Sequence, residues 1–258
     1  MRMWRSPGGA GWWPTVAWRL FQLLTVAALA WAGWRLLGHT PYRIDIDDRI
    51  VLSGRFDTTD PTIGSILDDL GVGQAQFFVN SVDTRTEGLD FTFNNERQLG
   101  EDFKLGTFFA LNLNRTKVNA IHAPPALIGR EDVLLSKRER LFIEQGAPKS
   151  KAVLGFDLSR GPWAGNVKVI HFGPQTLGTF SGTAGGVPNA RYKAKTSADL
   201  SATYSFSENT KLTVGGANIF NVKPTRQNAD ETDNGHIFDS VQFGLNGAAY
   251  YVRLWHRF

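Results

Sequence analysis

Side chains capable of acid–base, nucleophilic or metal chemistry are scattered along the 258-residue chain. No two of the five histidines stand at a spacing typical of metal ligands, so the sequence predicts no metal site. They are His39, His122, His171, His236 and His256. The absence of Cys excludes thiolate zinc sites, Cys nucleophiles and disulfide scaffolds. The common phosphate-binding, zinc-protease and serine-hydrolase motifs are also missing. We therefore predict no catalytic residue and no cofactor, and we predict that the protein is not an enzyme.

Charged residues are the remaining candidates for binding. The formal net charge of +4 is not gathered into a basic stripe, so we predict no nucleic-acid partner. Lys168, Arg253 and Arg257 fall on the polar side of predicted strands, and we predict that this side faces the interior of a barrel. There they would line a path for an anionic ligand, although pairing with acidic residues on the same side is the simpler interpretation. The acidic residues of that side are Asp90, Asp157 and Asp199.

Residues 1–41 differ in composition from the rest of the chain. No acidic residue occurs before Asp45, whereas six of the eight Trp lie in this segment. An apolar run over residues 20–34 follows a basic start and ends in an Ala-x-Ala pattern, which is typical of a secretory signal peptide. The run is shorter than the roughly 20 residues that a spanning helix needs. A shifted reading frame or a misplaced start codon is the other open interpretation, and we exclude the segment from the fold.

Apolar and polar residues alternate from residue 42 to residue 258. Alternation with a period of two predicts β-strands with one apolar and one polar face, here about eight strands of roughly 9–13 residues. In the first strand the apolar positions are Tyr42, Ile44, Ile46, Ile50 and Leu52, and the polar positions are Arg43, Asp45, Asp47 and Arg49. Charge pairing along that polar face explains the aspartates better than paired-carboxylate catalysis does. Asp48 falls on the apolar side, and a β-bulge at this position would rotate its side chain toward the polar side.

The predicted connections alternate between short and long. Short turns are expected at residues 99–101, 160–162 and 207–209, and the other connections have about 20 to 30 residues, as in outer-membrane barrels whose hairpins each cross the bilayer. Apolar-side aromatic residues near the short turns resemble an interfacial girdle. They are Tyr42, Phe93, Phe103, Phe156, Trp163, Phe206 and Phe258. A soluble β-sandwich also alternates, but it seldom has connections of such unequal length. We therefore predict an antiparallel transmembrane β-barrel.

Several sequence blocks, in the right order, resemble the barrel of TonB-dependent outer-membrane receptors. The blocks are YRIDIDDRIVLSGRF (42–56), VNSVDTRTEGLDFTF (79–93), LNLNRTKV (111–118), RERLFIEQGAPKSK (138–151), GGANIFNVKP (215–224), FGLNG (243–247) and YYVRLWHRF (250–258). The family-motif positions are Asn218, Phe220, Gly244, Asn246 and Gly247. The positions that match the family's barrel-assembly signal are Tyr250, Val252, Leu254 and Phe258. His256 stands where this signal more usually has Tyr.

The resemblance implies that residues 42–258 are the C-terminal part of a 22-stranded barrel in the outer membrane of a Gram-negative bacterium. Such receptors import iron–siderophore complexes, cobalamin or sugars. They hold a plug domain, and their TonB box binds the energy-transducing TonB complex. The implied partners are the barrel-assembly machinery, outer-membrane lipid, the TonB complex and a small nutrient. Neither a plug nor a TonB box is recognisable, so we expect a truncated receptor or a piece of a split gene. A self-contained small barrel and a soluble β-rich binding module are the alternatives.

Overall fold

The computed structural model describes residues 38–179, 189–232, 234–238 and 244–258. The strands are β1 Gly38–Leu52, β2 Phe56–Asp57, β3 Gln74–Ala75, β4 Phe78–Gln98, β5 Phe103–Ile121, β6 Ser150–Arg160, β7 Trp163–Phe172, β8 Gln175–Leu177, β9 Ala190–Tyr192, β10 Lys195–Ser207, β11 Thr210–Ala217 and β12 Ala249–His256. The helices are α1 Gly64–Asp69, α2 Glu131–Leu134 and α3 Lys137–Gln145. Short 3₁₀ turns occupy Pro125–Leu127 and Ala229–Glu231. Among these residues, no helix combines the length and the apolar character needed to cross a membrane.

An eight-stranded sheet with the order β1-β4-β5-β6-β7-β10-β11-β12 forms the framework. The pairs β4–β5, β6–β7 and β10–β11 are antiparallel hairpins, and each is closed by one of the predicted short turns. The mainly β antiparallel fold is therefore confirmed. Within the described residues the sheet does not close, because β1 and β12 are its two edges.

The register of the strands separates an apolar face from a polar face. Cross-strand partners lie on the same face of a sheet, so each row of partners identifies one side. One such row is Phe93, Phe109, Leu154, Val169 and Ala198. A row on the other side is Gly106, Asp157, Asn166, Ser201 and Gly215. We call the side of the first row the apolar face and the side of the second row the polar face.

The strands β4 and β5 are much longer than the sequence predicted. β4 has 21 residues and β5 has 19. In β5 the apolar face is uncharged from Phe103 to Leu113, which we call the apolar band, and beyond the band it carries Arg115 and Lys117. The extra length therefore lies beyond the apolar band, at the end of the sheet away from the short turns. We call this the outer end.

The predicted face of the first strand is wrong. The Tyr42 hydroxyl accepts a hydrogen bond from Asn112 Nδ2 at 3.2 Å, and the Tyr42 ring packs against Gly88, so Tyr42 lies on the polar face. Asp45 lies on the opposite side, where its carboxylate pairs with Arg43 and Arg85, both at 2.7 Å. The predicted charge pairing is confirmed for Arg43 with Asp45, but the two faces are exchanged. Because Tyr42 stands beside Gly88, Tyr42 is also far from the short turns and does not belong to the aromatic girdle.

The faces of β1 were predicted wrongly because much of this strand lies toward the outer end of the sheet. Arg85 lies beyond the apolar band, so the part of β1 beside it is not required to present an apolar side. Asp48 has a φ of 52°, a backbone conformation uncommon outside glycine. Beyond it the alternation shifts, because Val51 packs with Val82 and Val118 on the polar side of the sheet. The irregularity expected at Asp48 is therefore present.

The main core lies at the outer end rather than along the sheet. The connections 53–77 and 122–149 were predicted only as long loops, but they contain α1, α2 and α3 and fold against each other. We call these two connections together the outer cap. Its buried apolar cluster is Phe56, Leu67, Leu127 and Leu134. The Gly54 N–H donates a 2.7 Å hydrogen bond to the Val133 carbonyl and ties the two connections together.

Candidate functional site

The three basic residues predicted to line a ligand path are not brought together. Lys168 Nζ in β7 lies 2.9 Å from the Asp199 carboxylate in β10, so its charge is paired as the simpler interpretation expects. Arg253 is on the polar face of β12, opposite Thr213, with its guanidinium 5.7 Å from the centroid of the Tyr251 ring. Arg257 follows β12, and its N–H donates to a backbone carbonyl in the β10–β11 turn. Their role in ligand binding remains a prediction.

Amides rather than cations satisfy the other two acidic residues of the polar face. Asp157 accepts a hydrogen bond from Asn166 Nδ2 at 2.8 Å. Asp90 accepts one from Asn112 Nδ2 at 2.6 Å. The expected pairing with basic residues therefore holds for Asp199 and is wrong for Asp90 and Asp157. These two carboxylates are therefore hydrogen-bonded to neutral amides rather than ion-paired.

The family-motif residues shape the connection between β11 and β12. Asn218 has a φ of 48°, and its N–H donates to Asp199 Oδ1 at 2.8 Å. Its side chain closes the turn through two hydrogen bonds with the backbone of Val222, at 2.8 and 2.9 Å. Gly247 has a φ of 73°, and a Cβ there would collide with Asn221 Oδ1. These positions therefore have a conformational role in the fold.

The remaining motif residues and the predicted assembly signal are largely at the surface. Phe220 and Asn246 are exposed, and Gly244 has open space around it. On β12, Tyr250, Val252 and Leu254 occupy the apolar face opposite Gly216, Val214 and Leu212. Each is about 70% exposed, and Phe258 beyond the strand is fully exposed. The last strand thus presents an apolar stripe, while its role in barrel assembly remains a prediction.

A cluster of metal-ligating groups lies at the outer end, where the sequence indicated none. His122 follows β5, and its Nε2 lies 2.7 Å from Asp83 Oδ2 in β4. Asp83 Oδ1 accepts a 3.0 Å hydrogen bond from the N–H of Asp48 in β1. One ligand-type atom from each of the three residues falls within 4.8 Å of the others. The Asp83 carboxylate raises the pKa of His122, with smaller contributions from Asp48 and Asp47.

No local signal points to this cluster. Its members are 35 and 39 residues apart along the chain. They meet because the outer ends of β1, β4 and β5 are adjacent in the sheet. Ligand-spacing rules detect groups on one helix or in one loop, so only a correct strand register would have revealed the cluster.

An ion pair joins the two connections of the outer cap. Arg130 Nη1 and Nη2 donate to Asp60 Oδ1 and Oδ2 at 2.8 and 2.5 Å. Asp60 also accepts from the N–H groups of Thr62 and Ile63 at 2.9 and 3.2 Å. These donors, Arg130 first, hold the pKa of Asp60 well below its usual range. The bidentate geometry fixes both distance and orientation between the two connections.

We expect the outer cap to lose this support only in strong acid. The carboxylate form of Asp60 stabilises the folded cap fully above the unfolded pKa of about 3.9. The contribution declines as the pH falls from that value through the lower folded pKa. At pH 6, Asp60→Asn should speed hydrogen exchange of the Gly54 amide by about tenfold or more, and the difference from the wild type should shrink toward pH 2. Asp57→Asn is the control, because Asp57 is exposed and, among the described residues, its carboxylate accepts hydrogen bonds only from Thr59. Equal exchange in both variants would contradict the prediction.

Comparison with known proteins identifies the family. A family model described as "TonB dependent receptor-like, beta-barrel" matches residues 28–222, more than half of the chain. The chain belongs to the TonB-dependent receptor β-barrel family. This confirms the resemblance noted in the sequence blocks. The match begins inside segment 1–41, and residues 28–37 lie outside the described part, so the domain boundary at residue 42 remains a prediction.

Solved structures of this family share the fold. The copper transporter OprC is 18% identical, with 86% of this chain and 28% of that chain covered and a TM-score of 0.51. The outer-membrane transporter YddB from Escherichia coli is 10% identical, with 86% and 30% covered and a TM-score of 0.52. The ferripyoverdine receptor of Pseudomonas aeruginosa is 11% identical, with 85% and 25% covered and a TM-score of 0.50. The TonB-dependent receptor chain described here spans less than a third of the length of these proteins.

A short stretch resembles a protein of another class. Over 43 residues the chain is 70% identical to a polyprenol-phosphate-mannose-dependent mannosyltransferase of Mycolicibacterium smegmatis. That stretch is 17% of this chain and 10% of the mannosyltransferase. TonB-dependent receptors are outer-membrane transporters rather than enzymes, and the family match covers far more of the chain.

Proposed function

We propose that this chain supplies C-terminal strands to the barrel of an outer-membrane receptor that takes up a small nutrient. The nutrient classes are iron–siderophore complexes, cobalamin and sugars, with energy from the TonB complex. The separation of the sheet into an apolar face and a polar face is the main support for this proposal, because a transport barrel needs an apolar surface toward lipid and a polar surface toward its interior. Two of the similar structures are a copper transporter and a receptor bound to ferripyoverdine, which supports cargo that contains a metal.

The two ends of the sheet also fit this function. Short turns close the hairpins at one end, and the outer cap covers the other. Receptor barrels have short periplasmic turns and long extracellular connections. We therefore assign the short turns to the periplasm and the outer cap to the cell surface, in the outer membrane of a Gram-negative bacterium. Insertion there would use the barrel-assembly machinery and surround the apolar face with outer-membrane lipid.

The edges of the sheet set a condition for transport. β1 and β12 end the sheet without a further described partner strand. Unpaired backbone N–H and C=O groups are not tolerated in hydrocarbon. The proposed receptor therefore requires strands that pair with β1 and β12, either from a larger polypeptide or from a second one.

We expect epitope tags to report this orientation in intact Gram-negative cells. A tag inserted after Asn234, in the β11–β12 connection, should bind antibody without permeabilisation. A tag inserted after Gly100, in the β4–β5 turn, should bind only after the outer membrane is opened. The physical reason is that the two sites lie at opposite ends of membrane-crossing strands. Recovery of both tagged chains in the soluble fraction, or equal labelling of both in intact cells, would contradict the proposed location.

Uptake tests the transport part of the proposal. Cells that contain the chain together with its pairing strands should accumulate a labelled ferric siderophore, cobalamin or a sugar in a TonB-dependent manner. A matched strain without TonB is the control. Correct tag orientation with no TonB-dependent accumulation of any of these classes would reject nutrient uptake and favour a structural barrel.

A further inference from the structure

The outer ends of β1, β4 and β5 present two carboxylates and an imidazole to one point in space. The groups are the side chains of Asp48, Asp83 and His122, and their ligand-type atoms lie within 4.8 Å of one another. We propose that these three residues bind a divalent transition-metal cation such as Zn²⁺. Zinc takes nitrogen and oxygen ligands at about 2.0–2.2 Å, so modest side-chain rotation brings the three atoms into its coordination shell.

A buried hydroxyl in a residue next to the cluster has no hydrogen-bond partner among the described residues. This hydroxyl is Oγ of Ser81, which is completely buried. Ser81 precedes Asp83 by two residues in β4, so both side chains lie on the same side of the strand. The Ser81 carbonyl accepts the His122 N–H at 2.6 Å, which places Ser81 directly beside the imidazole residue. Buried hydroxyls normally have a partner, and a water held on a cation at this site would supply one.

The charges around the cluster favour a cation. Asp47, Asp48 and Asp83 all act electrostatically on the His122 ring. Arg85 is the next residue on the same side of β4 as Asp83. It donates a hydrogen bond to Asp45 at 2.7 Å, so its charge is paired with a carboxylate outside the cluster. Three carboxylates thus contribute negative potential at a single imidazole, and a divalent cation would offset their repulsion.

The ligand types select the class of metal. Ca²⁺ and Mg²⁺ prefer shells made of oxygen alone. An imidazole with two carboxylates suits zinc and the borderline divalent metals copper and nickel. Because Asp48 lies in β1, Asp83 in β4 and His122 directly after β5, a bound ion would tie β1 to the β4–β5 hairpin at the base of the outer cap. The proposal does not depend on the nutrient that the receptor imports.

Zinc titration of the chelator-treated full chain in detergent tests the site. Zinc chloride should bind with a stoichiometry of one, and calcium chloride should bind much more weakly. His122→Ala and Asp83→Asn should each weaken zinc binding by at least about tenfold, and Ser81→Ala by a comparable or smaller factor as an outer-shell partner. Bound zinc should also slow proteolysis within residues 122–149 of the wild type.

His171→Ala is the matched control. His171 Nδ1 is hydrogen-bonded to Thr196 at 2.8 Å on the apolar face, away from the cluster, so its loss should leave zinc affinity unchanged. Circular dichroism of each variant verifies that the sheet is folded. Equal zinc affinity in His122→Ala, Asp83→Asn and the wild type, or no preference for zinc over calcium in the wild type, would overturn the proposal.

Discussion

Leu154→Arg should keep the sheet from entering a lipid bilayer. Leu154 lies near the middle of the apolar face, between Phe109 of β5 and Val169 of β7. An arginine on the lipid side of a barrel near the bilayer midplane costs about 2–4 kcal/mol. We expect the fraction of chain that inserts into lipid vesicles, measured by protection from added protease, to fall about thirtyfold or more.

The neighbouring residue provides the control for this prediction. Val153 lies on the polar face, between Ala110 and Ile170, so Val153→Arg adds the same charge to the same strand on the other side. We expect near-normal insertion of this variant, because interior positions of a barrel accept charge. A similar loss in both variants would show that lipid does not distinguish the two faces, and the membrane assignment would be wrong.

Leu134→Ala should open the outer cap while the sheet remains folded. Leu134 is completely buried in the cluster with Phe56, Leu67 and Leu127. Truncation of a buried leucine removes apolar contacts and leaves a cavity, at a cost of about 2–5 kcal/mol. We expect protease cleavage within residues 122–149 to accelerate by at least about tenfold, with unchanged β-sheet circular dichroism.

Ile128→Ala separates packing from a general effect of truncation. Ile128 lies in the same connection but is 72% exposed, so this substitution should change stability by less than about 0.5 kcal/mol. If the two variants are cleaved at the same rate, the outer cap is not packed as the structure shows.

The strands β4 to β7 and β10 to β12 of the large sheet were predictable because each has one side that must be apolar. In β6 and β10 the alternation of Leu154 with Asp157 and of Leu200 with Asp199 directly reports the two faces. β1 was assigned to the wrong side because its described part stands beside Gly88 and Arg85, at and beyond the edge of the apolar band. Alternation identifies the two faces of a strand only where one side meets an apolar environment and the other side meets a polar one.

The outer cap was not predicted because its contacts join distant segments. Phe56 and Leu134 meet only after two separate connections fold together, and neither connection has a clear period of its own. One local signal was present. Ser136 and Glu139 form the Ser-x-x-Glu pattern of a helix start, and Ser136 Oγ accepts the Glu139 N–H at 3.3 Å at the beginning of α3.

The candidate site was predictable only in part. The motif positions Asn218 and Gly247 are recognisable because their positive φ values restrict the residue type. The group formed by Asp48, Asp83 and His122 depends on strand register and on the irregularity at Asp48. Neither feature follows from residue spacing, so this group could be found only once β1, β4 and β5 were placed side by side.

The folded state of the outer cap determines how antibodies recognise the protein. Leu127 and Leu134 point into the cluster and are nearly or completely buried, so a linear peptide from residues 122–149 displays side chains that the native surface hides. Antisera raised against such a peptide should detect the denatured chain on a blot and bind poorly to intact cells. Native epitopes here are discontinuous and combine residues from both connections.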